Sequence, residues 1–143
     1  MAATRTGSGS THTELASDGR EVVVAGSAIW AVTFIAALAI FPLHAEERPL
    51  FESIMPVVLA TATVVASCRA FLRRQSRQRP VRYGLILGTA WLAISLALDA
   101  LMFSRGPMQM APGDYLKDIG VTYLMIVVIP VGFGYLAAAY RRP

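Results

Sequence analysis

Apolar residues run through this chain in long blocks separated by short charged gaps. Val22 to Leu43 holds 22 residues without a charge. Ser53 to Cys68 is also charge-free, and Ala70, Phe71 and Leu72 extend it past Arg69. Tyr83 to Leu98 forms a third block that continues beyond Asp99 to Phe103, and Ile119 to Tyr140 forms a fourth of 22 residues. A helix needs roughly 20 mainly apolar residues to cross a bilayer core of about 30 Å. The blocks reach that length and lack the period-two alternation of a lipid-facing strand. They predict an all-α fold, an integral membrane four-helix bundle with helices at about residues 21–43, 51–72, 82–104 and 116–140. Residues 1–20, rich in Thr, Ser and Gly up to Gly19, read as a flexible tail.

Charge gives the predicted helices a direction. The gap between the second and third blocks carries Arg73, Arg74, Arg77, Arg79 and Arg82 with no acid, and Arg69 lies just before it. Short basic loops stay in the cytoplasm, so alternation places both termini there too. Arg141 and Arg142 close the last block on the same side. The inner side then holds ten basic and three acidic residues, and the outer side three basic and five acidic. The arginines serve first as topology determinants and second as groups that can meet lipid headgroups. A cleaved signal peptide is the alternative for the first block. Its apolar run exceeds the roughly 7–15 residues of a signal core, and the available cut after Ala45 puts Leu43 where a small residue is needed.

Composition agrees with a membrane protein. Of the 143 residues, 55% are hydrophobic and 15% charged, against roughly 45–50% and about 25% in soluble domains. A disordered chain, a disulfide scaffold and an ordinary cytosolic enzyme are excluded. The net charge of +4 falls in the gaps and at the ends of the blocks, as a lipid-facing topology requires, so nucleic acid is not an expected partner. Abundant Arg, Ala, Gly and Val point to a GC-rich bacterial genome, hence a cell (inner) membrane.

Small and polar residues in membrane helices turn toward other helices. Gly84, Gly88, Trp91, Ser95 and Asp99 share one face of the third block. Pro56, Ala60, Thr63 and Ser67 share one on the second, Gly26, Trp30, Thr33 and Ala37 on the first, and Tyr123, Ile126, Pro130 and Gly134 on the fourth. Gly84 to Gly88 is a GxxxG, fit for packing within the bundle or for a homo-oligomer. Pro130, Gly132 and Gly134 weaken the fourth helix near its middle, as a kink or a hinge. The same faces could instead line a polar path through Thr33, Thr63, Ser95 and Asp99.

Asp99 is the one acid inside a block. An aspartate at the bilayer centre costs roughly 2.5–3.5 kcal/mol, so such groups are interior and paired. Two readings compete. Asp99 is a satisfied carboxylate held by Arg48, Arg105 or Tyr115 at the outer mouth, or it is a proton or cation coupling site to which His44 contributes. The outer carboxylates Glu46, Glu47, Glu52, Asp114 and Asp118 with His44 match no metal-site spacing, so no metal and no cofactor is expected. The lone Cys68 makes no intrachain disulfide. No phosphate loop, zinc-protease motif, nucleophile elbow or CxxC occurs, and the chain reads as non-enzymatic.

The size and four-span layout resemble small multidrug resistance transporters. Those carry a membrane-embedded glutamate in the first span. Here Val22 to Leu43 has no acid and the only one stands in the third block, so no functional residue carries over. The primary expectation is a structural or accessory subunit that packs in the bilayer with itself or within a larger membrane complex. The alternative is a small oligomeric transporter or channel that uses Asp99.

Overall fold

The computed structural model describes residues 9–46, 48–73, 79–105 and 120–140, with side chains described at 19–41, 49–73, 79–102 and 120–140. They form four helices: α1 (Gly9–Glu46), α2 (Arg48–Arg73), α3 (Pro80–Arg105) and α4 (Val121–Ala139). No strand occurs among the described residues. All four helices are long and apolar enough to cross a membrane, over Gly19–Phe41, Pro49–Arg73, Pro80–Met102 and Val121–Ala139. This is the pattern of a small multi-pass membrane protein.

Two helices start three or more residues earlier than the residue pattern implies. α1 begins at Gly9, inside the segment expected to be a flexible tail. Once a span is helical, each further residue adds a hydrogen bond without a new nucleation cost, and no proline interrupts residues 9–20. α2 begins at Arg48 and not at about residue 51, which sets Pro56 well inside the helix.

α1 packs on α2 and α3, and α4 packs on the same two, so α1/α4 and α2/α3 are the diagonals of a square. The directions follow from paired contacts. Arg73 at the end of α2 meets Glu21 near the start of the α1 span, so these helices are antiparallel. Trp91 reaches Val22 and Asp99 reaches Trp30, so α1 and α3 are parallel. Gly84 lies against Pro130 and Gly134 against Pro80, so α3 and α4 are antiparallel. The chain thus reverses direction three times over four helices, as a four-pass topology requires.

The burial pattern inverts that of a water-soluble bundle. Thr63, Ser67, Ser95 and Asp99 are buried, whereas Val24, Ile35, Val57, Ile86, Val128 and Leu136 face outward. Only 11% of the most apolar window of α1 is buried, and 28% of that of α3. A soluble four-helix bundle would hide its apolar stripe. The core itself is small: Ile29, Leu59, Leu87, Trp91, Tyr123 and Ile126. Lipid tails are as apolar as leucine, so such helices associate by close packing and hydrogen bonds.

Close packing is concentrated between α3 and α4. A Cβ on Gly84 would lie 2.2 Å from the Pro130 carbonyl oxygen, and one on Gly88 2.7 Å from the Val127 Cα. A Cβ on Gly134 would lie 2.7 Å from the Pro80 carbonyl oxygen. No described glycine has a positive φ, so these glycines serve backbone approach and not a turn. Gly132 corrects the expected packing set. It is exposed with open space around it, because two residues turn a helix by about 200° and carry it away from Pro130 and Gly134. α4 runs unbroken through Pro130.

Candidate functional site

The interior face of α3 carries, in order, Gly84, Leu87, Gly88, Trp91, Ser95 and Asp99, all buried. Its last member is the site. Asp99 is 6% exposed. Trp30 on α1 donates its Nε1–H to Asp99 Oδ1 at 2.7 Å. Tyr123 on α4 donates its hydroxyl to Asp99 Oδ2 at 2.5 Å. One carboxyl group thereby joins three helices.

The local geometry explains why these residues meet. Gly26 lets α1 lie close to α3, its α-carbon turned toward Ile94 and Trp91. One turn further along α1, Trp30 reaches the level of Asp99 and stacks on Phe34 with ring centroids 4.8 Å apart. Trp91, fully buried at 0% exposure, donates its own Nε1–H to the Val22 carbonyl at 3.1 Å. The glycine seam sets α4 against α3 so that Tyr123, 8% exposed, reaches Asp99 from the other side. Interhelical hydrogen bonds in membranes contribute about 0.6 kcal/mol each and at most ~1.7 kcal/mol, so the two together offset part of the insertion cost of the acid.

The expected polar path has a different arrangement. Thr33 and Thr63 donate their hydroxyls to the carbonyls of Ile29 and Leu59 in their own helices, at 2.9 and 2.8 Å. This is the back-bonding that satisfies a hydroxyl in an apolar helix. Ser95 and Ser67 are buried, and their hydroxyls have no hydrogen-bond partner among the described residues. Ser95 stands one turn before Asp99 on the same face.

The side chains of His44, Arg48, Arg105 and Tyr115, considered above as companions of Asp99, lie outside the described residues, as do Arg74, Arg77, Arg141 and Arg142. Arg69, Arg73, Arg79 and Arg82 are exposed. No group of three His, Cys, Asp or Glu side chains able to hold a metal occurs among the described residues. Trp30 and Tyr123 were visible in the sequence as members of packing faces, and their role as donors to Asp99 was missed. The signal was present: each is a large aromatic with a polar tip on an interior stripe, and a buried Trp N–H or Tyr O–H needs a partner.

No protein-family model, no curated protein and no solved structure is similar to this chain.

Proposed function

We propose that this chain is a non-catalytic four-span protein of the cell (inner) membrane, with both termini in the cytoplasm. Its role is that of a structural or accessory subunit packing beside other membrane components. The observation that carries this reading is the state of Asp99: both carboxyl oxygens accept hydrogen bonds from neighbouring helices. An acid used in this way holds α1, α3 and α4 together. The outward-facing surface, with Val32, Leu38, Val65 and Leu124 among its exposed residues, offers neighbours an apolar wall.

The test is Asp99→Asn in the full chain. The asparagine amide still accepts from Trp30, so the bundle stays folded. The subunit reading expects the variant to retain its copurifying membrane partners and wild-type vesicles to show no proton flux. The alternative, a transporter or channel coupled through Asp99, draws support from the buried Ser95 hydroxyl one turn away. It expects flux in wild-type vesicles that Asp99→Asn abolishes without unfolding the protein, and that outcome would replace the subunit reading.

A further inference from the structure

We infer that Arg69, Arg79 and Arg82 form a collar that binds the phosphate-bearing headgroups of anionic phospholipids. The inference rests on the membrane reading above. Its basis is how the fold sets the arginines of one short gap beside the aromatic end of α4. Phe71 of α2 packs edge-on against Tyr83 of α3, with centroids 5.4 Å apart, and stacks on Phe133 of α4 at 6.0 Å. These three rings pin the ends of three helices at one level. Arg69 and Arg73 flank Phe71, and Arg79 and Arg82 precede Tyr83. These four guanidinium groups are all exposed at one end of the bundle, where Arg20 at the start of the α1 span is exposed as well.

Their electrostatic situations differ. Arg73 donates to the Glu21 carboxylate at 2.9 Å. Arg69, Arg79 and Arg82 have no ion pair among the described residues. The same end exposes Tyr135 and Tyr140 beyond Phe133, Tyr140 at 89%, and aromatic residues with polar tips settle at headgroup depth. From Arg82 an exposed apolar track runs into the span through Leu85 and Ile86. A guanidinium at headgroup depth above an exposed apolar track matches the two ends of a phospholipid. Arginine also binds phosphate through paired N–H donors.

The experiment uses the purified full chain in nanodiscs of phosphatidylcholine containing a minor share of phosphatidylglycerol. The lipid retained after mild detergent stripping is counted by mass spectrometry. Phosphatidylglycerol should be enriched over its bulk share by about fivefold per unpaired arginine, and roughly 1 M salt should remove the enrichment by screening. Arg79→Gln with Arg82→Gln should lose most of it. Arg79→Lys with Arg82→Lys should retain the part of it that depends on charge alone, and Arg73→Gln together with Glu21→Gln should leave it unchanged because that pair carries no net charge. Retained lipid at the bulk ratio, or enrichment insensitive to the Gln pair, would overturn the collar. So would equal displacement by inorganic phosphate, which would mark a general anion site. Failure of the chain to enter nanodiscs of either composition would instead count against the membrane reading itself.

Discussion

A carboxyl group inside a helix bundle must find donors, and Asp99 takes two from aromatic side chains on different helices. Removing either donor isolates one bond. Trp30→Phe and Tyr123→Phe should each destabilise the bundle by about 0.6 kcal/mol, and by no more than ~1.7 kcal/mol, the span found for interhelical hydrogen bonds in membranes. Asp99→Leu should cost more, about 1–3 kcal/mol, because it leaves a buried donor, Tyr123, and a half-buried one, Trp30, without acceptors. Unfolding in mixed detergent micelles, followed by circular dichroism, measures all three. A double-mutant cycle of Tyr123→Phe with Asp99→Asn should show coupling between these residues; strict additivity would mean that the bond contributes nothing. The importance of Asp99 was legible in the sequence because an acid within an apolar block is conspicuous. Its partners were not, because a donor search built on sequence looks for cations at the nearest loop. Trp30 and Asp99 are 69 positions apart, and only the relative height of two parallel helices makes them neighbours.

At the scale of the element, α3 and α4 form the tightest pair, and their seam separates two kinds of glycine. Gly84→Ala should push the helices apart, because its Cβ would lie 2.2 Å from backbone oxygen, which cannot rotate away. Overpacking of this kind costs about 1–3 kcal/mol. Gly26→Ala should also destabilise. Its Cβ would meet side-chain and not backbone atoms at 2.9 Å: the Ile94 methyl can turn, but the Trp91 ring is held by Val22. Gly132→Ala should be neutral or stabilising by up to ~1 kcal/mol, since it improves helix propensity and meets nothing. The same unfolding assay ranks the three, and a destabilised Gly132→Ala would contradict the described surface. Pro130 belongs to this seam. It cannot donate to the Ile126 carbonyl one turn earlier, and that oxygen faces Gly88, where a Cβ would lie 3.0 Å from it. A glycine Cα–H there can offer the weak contact that such carbonyls accept. The GxxxG was legible as a close-approach motif, but whether it served this chain or a second copy was not. The fold assigns that face to α4 of the same chain, so Gly88→Leu should unfold the monomer and not merely dissociate an oligomer. Gly132 was misjudged because Pro130, Gly132 and Gly134 read in sequence as one weak point, although a helix sends the middle one to the opposite side.

For the whole molecule, four helices of membrane-spanning length were legible because a bilayer imposes one long period of apolarity. Their order around the square was not, since short connections favour neighbours in sequence and α2 and α3 nonetheless sit on a diagonal. The fold brings the start of the α1 span, the end of α2, the start of α3 and the end of α4 to one end, as the Glu21–Arg73 pair, the Phe71–Tyr83–Phe133 rings and the Gly134–Pro80 contact require. That end carries the exposed Arg69, Arg73, Arg79 and Arg82. Because basic residues resist translocation, it should face the cytoplasm, and the opposite end, with exposed Glu52 at the start of the α2 span, should face outward. Single cysteines placed by Arg79→Cys or Glu52→Cys in a Cys68→Ala background test this directly. A membrane-impermeant maleimide should label the Glu52→Cys chain in intact cells and the Arg79→Cys chain only after permeabilisation. The reverse pattern would invert the molecule and move Asp99 to the cytoplasmic half, while leaving its bonds to Trp30 and Tyr123 intact. Labelling of both sites in intact cells would mean that the arginines do not fix one orientation. In that case, replacing Arg69, Arg73, Arg79 and Arg82 with Gln should leave the mixture unchanged, whereas a charge-determined orientation should be scrambled by it.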